Sequence, residues 1–528
     1  MADKIEPPKS GPYDPRMSRS LFRRTFFGGA RGPRVVLLLW FLWCAGCQSN
    51  ANSPAEVAPS ATPRAVSSVG GPTGSAAATV PPGSDIPDPG AATAASQSLA
   101  PAQWAQLFGA NCDNRSADHS LNWSWGPQGP PVAWRKPVGI GYSAPVIREG
   151  RLVIQDRVEG DERLVCLDAE SGEERWIARF PTDYQCKYAY SSGPYATPTL
   201  SADAIYAVTA GGDVLAVSFD SGEPIWSRPL LKETSAKVGA FGVGISPRLW
   251  EDRLILNIGG KNGQGIVALS ARTGKTLWSA TDHGRGYATA IVARQHGRDF
   301  AYVLTEEGLV SLDPGDGRVH WTYPFGVQVS AEQVNAVSPV VVGNLVVISS
   351  GPGPGTAVLD IQPDGSHKLV WKNQRVVDGR YTNLLALDGC LYGVTARRQA
   401  MLRCADLQTG KLLWEYESDL CRAHTLFADG HILVLGEHGH LGMFIPGRTK
   451  PETIPVTAEP ILNTPCYSTM ALAAGRLYLR NEKEVVCLDL RTPSHPSHAG
   501  SAVTRADRNA GASHPPAAGS DRSISPEP

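Results

Sequence analysis

The chain has 528 residues, with 49 basic and 50 acidic side chains, 55 glycines and 42 prolines. Because the charges cancel and form no block of one sign, the basic footprint expected of a nucleic-acid-binding protein is missing, and no nucleic-acid partner is predicted. The many turn-forming residues and the lack of long amphipathic helical runs favour an all-β chain of short strands.

The first predicted element is an export signal at residues 17–47. It follows a polar, proline-rich stretch that leaves Met1 and Met17 as alternative starts. Five arginines precede a nine-residue apolar run at 35–43. A run of this length is too short to span about 30 Å of hydrocarbon at about 1.5 Å per residue, so it predicts a signal peptide and not a membrane span. We therefore assign residues 1–47 to a signal segment.

The apolar run ends in Cys-Ala-Gly-Cys at residues 44–47, which resembles the bacterial lipobox. Ala45 and Gly46 fit that motif, whereas Cys44 stands where the lipobox has leucine. The resemblance implies that Cys47 becomes an acylated N-terminus and anchors the mature protein to a membrane. An ordinary signal peptide that is cleaved nearby is the alternative.

Two segments rich in small residues flank the rest of the chain. Residues 48–103 consist mainly of Ala, Ser, Pro, Gly and Thr with almost no aromatic residue, and residues 491–528 have the same character. Such segments bury too little apolar surface to offset the entropy lost on ordering, so we predict a disordered tether and a disordered tail. The folded region is expected at residues 104–490.

A single type of hairpin recurs within the folded region: an apolar strand, an Asp, a turn that contains Gly, and a second strand that ends on Trp. Its clearest copy is LRCADLQTGKLLW at residues 402–414, in which Gly410 provides the positive φ angle of a tight turn. The copies repeat about every 48 residues, a period typical of propeller blades, solenoids and arrays. The tryptophans of the six clear copies are Trp176, Trp226, Trp278, Trp321, Trp371 and Trp414.

Each repeat predicts four strands, and eight third strands are visible in the sequence. They lie at residues 165–168, 215–219, 266–270, 309–313, 356–360, 402–406, 441–445 and 485–489. The predicted folded region ends after the eighth without a Trp strand, whereas residues 132–136, which contain Trp134, form a Trp strand without a partner. We predict that this N-terminal strand completes the last blade and closes an eight-bladed β-propeller of four-stranded repeats. Seven blades with a stray strand is the alternative.

The hairpin resembles the PQQ-like repeat, which is named for quinoprotein dehydrogenases. The residues that match its motif are Asp406, Thr409, Gly410, Lys411 and Trp414. The resemblance covers residues 104–490 and implies that each Trp, including Trp134, packs between neighbouring blades. The segments 104–116, 141–146 and 181–190 are similar to those of exported propeller proteins of planctomycetes.

The order of lipobox, tether and propeller also resembles the BamB family of outer-membrane assembly lipoproteins. This resemblance implies a monomeric scaffold on the periplasmic side of a bacterial membrane, held there by its lipid anchor. It further implies a protein or peptide partner in the cell envelope.

A PQQ-dependent oxidoreductase is the alternative that the repeat suggests. Enzymes of that family hold PQQ against a disulfide between adjacent cysteines, with a Ca²⁺ site and an Asp base. This chain has no adjacent cysteines and no acidic cluster shaped like a Ca²⁺ loop. His438 and His440, the closest histidine pair, lack the further ligands that a metal site needs. We predict no enzyme, no catalytic residue, no cofactor and no metal site.

One disulfide remains a hypothesis. Cys390 and Cys404 fall on the two strands of one predicted hairpin, and an exported compartment permits a disulfide between them. Sequence alone does not fix the connectivity.

The candidate site lies in the loops that join the fourth strand of one blade to the first strand of the next. In a propeller these loops gather on one face around the central channel, and here several are long and rich in Tyr, Arg, Phe and His, with Lys187 and Tyr195 among them. Tyr and Arg are enriched at binding hot spots. The predicted binding residues are Asp183, Tyr184, Tyr188, Tyr190, Phe241, His283, Arg285, Tyr287, Asn335, Arg380, Tyr381, His424 and Tyr467.

These side chains predict a funnel that binds a protein or peptide partner. Two alternatives remain open at this stage. The funnel binds a glycan or another small ligand, or the aromatic rings pack on neighbouring loops and merely cap the end of the barrel.

Overall fold

The computed structural model describes residues 103–188, 191–239, 241–327, 334–395, 401–417, 420 and 422–492. Cys47, Tyr190, the predicted signal segment and almost all of the predicted tether and tail lie outside these residues. The described residues form 31 strands and one short helix, arranged as eight separate antiparallel sheets. The predicted eight-bladed β-propeller is therefore confirmed.

The first four blades follow one another along the chain. Their strands, from first to fourth, are β2 (Val146–Arg148), β3 (Arg151–Val158), β4 (Asp161–Asp168) and β5 (Glu174–Pro181) in blade 1; β6 (Thr199–Leu200), β7 (Ala204–Val208), β8 (Val214–Ser218) and β9 (Pro224–Arg228) in blade 2; β10 (Arg248–Trp250), β11 (Arg253–Asn257), β12 (Ile266–Ser270) and β13 (Thr276–Ala280) in blade 3; and β14 (Ile291–Gln295), β15 (Arg298–Leu304), β16 (Gly308–Leu312) and β17 (Val319–Pro324) in blade 4. A single-turn helix, α1 (Leu230–Glu233), follows blade 2.

The remaining blades complete the ring. Their strands are β18 (Val340–Val342), β19 (Leu345–Ser350), β20 (Gly355–Ile361) and β21 (His367–Asn373) in blade 5; β22 (Leu385–Leu387), β23 (Cys390–Val394), β24 (Met401–Asp406) and β25 (Leu412–Glu417) in blade 6; β26 (Ala423–Ala428), β27 (His431–Gly436) and β28 (Leu441–Phe444) in blade 7; and β29 (Ala471–Ala473), β30 (Arg476–Arg480), β31 (Glu484–Asp489) and β1 (Val132–Pro137) in blade 8. None of the described helical segments has the length and hydropathy needed to cross a bilayer.

The ring closes through the N-terminal strand. β1 pairs antiparallel with β31, and Trp134 lies opposite Cys487 in that ladder. The last blade is thus built from both ends of the folded region, as the unpaired Trp strand predicted. Because the first and last segments belong to one sheet, the ring cannot open between them without breaking the backbone hydrogen bonds of the β1–β31 pair.

Blade 7 differs from the other blades, because its sheet contains three regular strands. The place of the fourth strand is taken by an irregular segment in which Val456 forms an isolated bridge to Gly442. Pro446, Pro451 and Pro455 occur in this segment. Proline has no backbone N–H to donate to a ladder, so the segment follows the third strand without continuous pairing.

The hairpin tryptophans connect neighbouring blades. The indole N–H of Trp226 donates to the carbonyl of Ala271 in the next blade at 2.9 Å, and that of Trp371 donates to Leu407 at 2.8 Å. Further bonds of this type join Trp134 to Ala169, Trp278 to Pro314, Trp321 to Gly365 and Trp414 to Gly447. Each bond satisfies an indole donor that the packing would otherwise leave without water.

Residues 104–121 form a segment that we call the plug, and it closes one end of the central channel. Its contacts reach the first strand of every blade. In blades 1 to 3, Trp104 bridges Ile147, Ala105 accepts a bond from Leu200, and Cys112 contacts Arg248. In blades 4 and 5, Ile291 and Val341 pack in one cluster with Phe108 and Leu107. In blades 6 to 8, Arg115 donates to Ala386, the Ser116 N–H donates to Phe427, and the Ser116 hydroxyl donates to Leu472. The plug therefore ties the eight inner strands together at their later residues.

Candidate functional site

A cavity of about 420 Å³ occupies the other end of the channel, and we call it the funnel. It is lined by the residues at which the inner strands begin, about three positions before those that contact the plug. Leu107 and Phe108 of the plug form part of its wall, so the channel is closed on that side. The other lining residues are Tyr142, Ala144, Tyr188, Tyr195, Thr197, Phe241, Gly244, Ser246, Tyr287, Val334, Ala336, Ser338, Arg380, Tyr381, Arg422, His424, Tyr467 and Thr469.

Aromatic rings from blades 1 to 4 form one side of the funnel. The rings of Tyr188 and Phe241 lie 5.3 Å apart, and those of Phe241 and Tyr287 lie 6.3 Å apart in an edge-on arrangement. The Tyr287 hydroxyl also accepts the backbone N–H of Phe241 at 3.2 Å. Tyr188 keeps 38% of its surface exposed, so it is available to a molecule that approaches this face.

Three tyrosines form the opposite side. The Tyr467 ring makes edge-on contacts with Tyr142 at 5.2 Å and with Tyr381 at 5.6 Å. Edge-on pairs of this kind favour one orientation of each ring and contribute more stabilisation than the burial of their surface alone. The two contacts thus hold the three rings against one another along this side of the funnel.

A charged network supports this side of the wall. Arg422 donates through Nε and Nη2 to the two carboxylate oxygens of Glu437, and the Tyr467 hydroxyl donates to Glu437 Oε1 at 2.8 Å. Burial alone would raise the pKa of Glu437, but the bonds from Arg422 and Tyr467 outweigh burial and hold it below its ordinary value. Glu437 thus stays ionised and neutralises Arg422 within the wall.

His424 lies in the same wall and is 5% exposed. Its Nε2 is 3.0 Å from the backbone carbonyl oxygen of Tyr467. A carbonyl only accepts, so Nε2 carries the proton and Nδ1 carries a lone pair. Burial lowers the pKa of His424 to about 4, and the imidazole is therefore neutral at ordinary pH.

A belt of hydroxyl groups links the inner strands at the level of the funnel. The backbone N–H of each residue donates to the side chain of its counterpart in the next blade: Ala144 to Thr197 at 2.9 Å, Thr197 to Ser246 at 2.8 Å, Ser246 to Thr289 at 3.2 Å and Thr289 to Ser338 at 3.0 Å. The equivalent positions in blades 6 and 7 are Asn383 and His424, where the belt is interrupted. Both amide atoms of Asn383 are sealed from solvent without a partner among the described residues.

Three predicted binding residues lie behind the wall and hold loops in place. The Arg285 guanidinium donates to the carbonyls of Lys237, Ile258 and Gly242. The side-chain amide of Asn335 donates to Thr305 at 2.7 Å and Phe325 at 3.1 Å, and His283 Nδ1 lies 3.0 Å from the Thr305 hydroxyl. These donors are used for loop contacts, whereas Arg285 Nε and Asn335 Oδ1 are buried without a hydrogen-bond partner among the described residues.

Asp183 and Tyr184 also fall outside the lining. Asp183 is exposed on its loop. Tyr184 is half-buried; its ring meets that of Tyr195 edge-on, and burial raises its pKa to about 12. The predicted residues that the structure gathers around the funnel are Tyr188, Phe241, Tyr287, Arg380, Tyr381, His424 and Tyr467.

Phe108, Arg422, Tyr142 and the hydroxyl belt are not among the residues predicted from the sequence. A signal for the belt was present, because Thr197, Ser246 and Ser338 each precede a proline at the start of an inner strand. No comparable signal marks the plug, since its residues do not repeat along the chain.

Cys390 and Cys404 are both thiols in this structure. In the β23–β24 ladder Cys390 lies opposite Asp406 and Cys404 lies opposite Tyr392. The two cysteines are therefore diagonal neighbours in the ladder, and their thiols interact with each other. Burial raises the pKa of Cys404 to about 12, so this thiol is unreactive.

No group of three or more His, Cys, Asp or Glu side chains within the described ranges is placed to bind a metal ion. His438 and His440 bond separately, to the Thr464 hydroxyl and the Thr457 carbonyl.

The closed ring of eight blades and the interblade Trp hairpins define a β-propeller of PQQ-like repeats with a ligand-sized funnel at one end. A family model described as outer membrane protein assembly factor BamB matches residues 125–238 and 160–416, which together cover more than half of the chain. The chain belongs to this family of PQQ-like propeller proteins.

Individual relatives are more distant. The outer membrane protein assembly factor BamB of Burkholderia pseudomallei (strain K96243) is 28% identical over 235 residues, which are 42% of this chain and 54% of that protein. The match thus spans about half the length of this curated relative.

Two solved structures are similar to parts of this chain. BamB from Moraxella catarrhalis has a TM-score of 0.49 at 14% identity, over 69% of this chain and 99% of that one. A quinohemoprotein alcohol dehydrogenase from Pseudomonas putida HK5 has a TM-score of 0.52 at 11% identity, over 74% and 81% of the two chains. At this identity the dehydrogenase supports the fold alone.

Proposed function

We propose that this protein is an exported, lipid-anchored, monomeric scaffold of BamB type that binds a protein or peptide partner at the funnel face and takes part in the assembly of outer membrane proteins. The proposal places it on the periplasmic side of the membrane, anchored through Cys47. It assigns the chain no chemistry of its own. The membership in the family described as an outer membrane protein assembly factor supports the scaffold role.

The observation that carries the proposal is the contrast between the two ends of the channel. The plug closes one end, whereas the other end presents a preformed cavity with eight aromatic rings in its lining. Aromatic side chains that are held rigid and partly exposed supply contact area at little cost in side-chain entropy. A partner therefore meets a prepared surface on one face.

The funnel does not suit PQQ, the cofactor of the quinoprotein dehydrogenases. PQQ carries several carboxylate groups, which need cationic partners. Of the two arginines in the lining, Arg422 is already paired with Glu437. The Glu437 carboxylate would also repel the acid groups of the cofactor.

Crosslinking mass spectrometry in the envelope of the host tests the proposal. We expect a defined partner to crosslink to the wild type and to be lost from a Tyr188→Ala/Phe241→Ala double variant, which removes exposed aromatic area at the funnel. The matched control is Ile225→Ala/Leu277→Ala, which removes exposed apolar side chains from the outer strands of blades 2 and 3. Identical crosslinks in all three proteins would contradict binding at the funnel.

The lipid anchor is tested separately. Replacement of Cys47 by Ser removes the sulfur that a lipoprotein acylates, so we expect the variant to leave the membrane fraction and appear in the soluble periplasmic fraction. A Cys44→Ser variant is the matched control and should remain membrane-bound. If both variants fractionate with the wild type, Cys47 is not the anchor.

A further inference from the structure

The interruption of the hydroxyl belt at blades 6 and 7 identifies a polar position that the protein itself does not satisfy. In blades 1 to 4 the backbone N–H at this level donates to a hydroxyl of the next blade. At the equivalent position in blade 7, His424 uses Nε2 for the Tyr467 carbonyl, and Nδ1 has no hydrogen-bond partner among the described residues.

The unsatisfied Nδ1 of His424 faces the funnel. Only 5% of the surface of His424 is exposed, and the residue lines the cavity. The Nδ1 atom has no partner within the described part of the chain, yet it is not fully sealed from solvent. Its remaining exposure is therefore to the cavity. Because Nε2 is protonated, Nδ1 is a hydrogen-bond acceptor whose direction is fixed by the ring.

The neighbouring side chain supplies the complementary group. Arg422 commits Nε and Nη2 to Glu437, which leaves the N–H groups of Nη1 without a bond to any residue that the structure describes. Arg422 and His424 are two residues apart at the start of β26, and both line the funnel. One wall thus offers a donor and an acceptor next to each other, between the rings of Tyr381 and Tyr467.

The charges of this wall select the ligand class. An ammonium or guanidinium group would be repelled by Arg380 and Arg422. A carboxylate could pair with Arg422 but has no hydrogen to donate to the Nδ1 lone pair of His424. A sugar needs several open hydrogen-bonding groups, whereas the described residues of this wall contribute the Nη1 donors of Arg422 and the Nδ1 acceptor of His424. An uncharged peptide group fits, because its C=O accepts from Arg422 and its N–H donates to His424.

We propose that the funnel wall formed by Arg422, His424, Tyr381 and Tyr467 is a recognition pocket for one uncharged peptide group of the partner, presented by a loop or by a blocked chain end. This inference rests on the proposed function and specifies the chemistry of the same site. The plug prevents a chain from passing through the channel, so the partner enters and leaves through the funnel face.

The test uses the full chain labelled with ¹⁵N in its histidine rings and a capped dipeptide, N-acetyl-Phe-Ala-amide, as the probe. The matched probe has both backbone nitrogens methylated and a dimethylamide at its C-terminus, which removes every N–H donor and keeps the two side chains. The His424 resonances are assigned by their loss in His424→Phe. We expect the capped dipeptide to shift the Nδ1 resonance of His424, and the methylated dipeptide to leave it in place.

Affinity provides the second measurement. Because one net hydrogen bond of about 1 kcal/mol corresponds to roughly a fivefold change in affinity, we expect His424→Phe to bind the capped dipeptide about fivefold more weakly and the methylated dipeptide unchanged. His431→Phe is the matched control, since His431 stacks on Trp123 outside the funnel. If His424→Phe does not fold, the comparison of the two probes on the wild type decides.

Three results would overturn this inference. They are an equal response to both dipeptides, no response to either, and a response of His424 only to N-acetylglucosamine, which would assign the pocket to a glycan. None of these results alters the crosslinking experiment with Tyr188 and Phe241. Failure of the peptide pocket is therefore distinguishable from failure of the proposed scaffold role.

Discussion

Trp371 of blade 5 packs directly on Gly410 of blade 6. A Cβ atom added to Gly410 would lie 2.6 Å from the Trp371 ring, and the same ring donates its N–H to Leu407 at 2.8 Å. Similar contacts place Trp134 on Gly172, Trp176 on Gly222, Trp226 on Gly274 and Trp278 on Gly317. The turn glycine is thus required twice, once for its own backbone angle and once for the tryptophan of the preceding blade.

We expect Gly410→Ala to destabilise the protein by about 1–3 kcal/mol more than Gly430→Ala does, because overpacking against a fixed ring adds to backbone strain. Gly430 is the matched control, since its φ of 76° is close to the 66° of Gly410 but its added Cβ would meet nothing within 4 Å. Urea unfolding measures both variants. Equal losses would show that the Trp371 contact is not what constrains this position.

The seam between blades 8 and 1 depends on a buried arginine. Arg480 has no exposed surface, and its guanidinium donates to the carbonyls of Gly139, Ser143 and Gln155. We expect Arg480→Met to lower the free energy of unfolding by about 3 kcal/mol or more, because three buried acceptors lose their donor. Arg294→Met, which removes an exposed guanidinium paired with Asp299, should change it by less than about 1 kcal/mol. Similar losses in the two variants would remove Arg480 from the seam.

Glu162 makes the stability depend on pH. It is fully buried, with its carboxylate accepting bonds from the Ala210 N–H and the Gln155 amide, and burial raises its pKa from 4.5 to about 7. Between these values the folded chain keeps a proton that the unfolded chain releases. The contribution of Glu162 to stability is therefore fully present below pH 4.5 and falls as the pH rises to about 7.

Glu162→Gln removes this titration. From about pH 5 to pH 8 we expect the stability difference to move in favour of the variant by up to about 3 kcal/mol, measured by urea unfolding at each pH. The fixed cost of the substitution does not affect this comparison, because it is the same at every pH. Parallel pH profiles for the two proteins would show that folding does not raise the pKa of Glu162.

Cysteine accessibility checks the thiol assignments. Cys186 is half-buried, whereas the other described cysteines, at positions 112, 166, 390, 404, 466 and 487, are buried. We therefore expect iodoacetamide to alkylate Cys186 in the native protein well before any of those six, which should react after denaturation without a reductant. If Cys390 and Cys404 react only after reduction, the two form a disulfide.

The blade architecture could be predicted because its signals are local. Gly410, Asp406 and Trp414 lie within one hairpin, so each copy announces its own third strand and turn, and all eight predicted third strands coincide with strands of the structure. Closure of the ring followed from a count of the strands, because the strand that contains Trp134 had no third strand before it. The three-stranded sheet of blade 7 was not predicted, although the prolines that interrupt its last segment are visible in the sequence.

The candidate site was less predictable, because the position of a loop determines the face on which it lies but not the direction of each side chain. Tyr381 and Arg285 both belong to loops of the funnel face, yet the first lines the cavity and the second turns toward buried carbonyls. The plug could not be predicted at all. Its contacts join residues far apart in the chain, such as Arg115 and Ala386, and no repeat or turn motif marks them.

The plug also determines how the domain responds to mechanical tension. A pull on the chain at Gln103 is transmitted first to the paired backbones of Trp104 and Ile147, which are joined by two hydrogen bonds of 2.9 Å. From there the load passes to the first strands of all the blades and not to β1, which lies at the outer edge of blade 8. Because Trp104 precedes β1 along the chain, a pull at Gln103 would have to break the bonds of the plug before it reached the strand that closes the propeller.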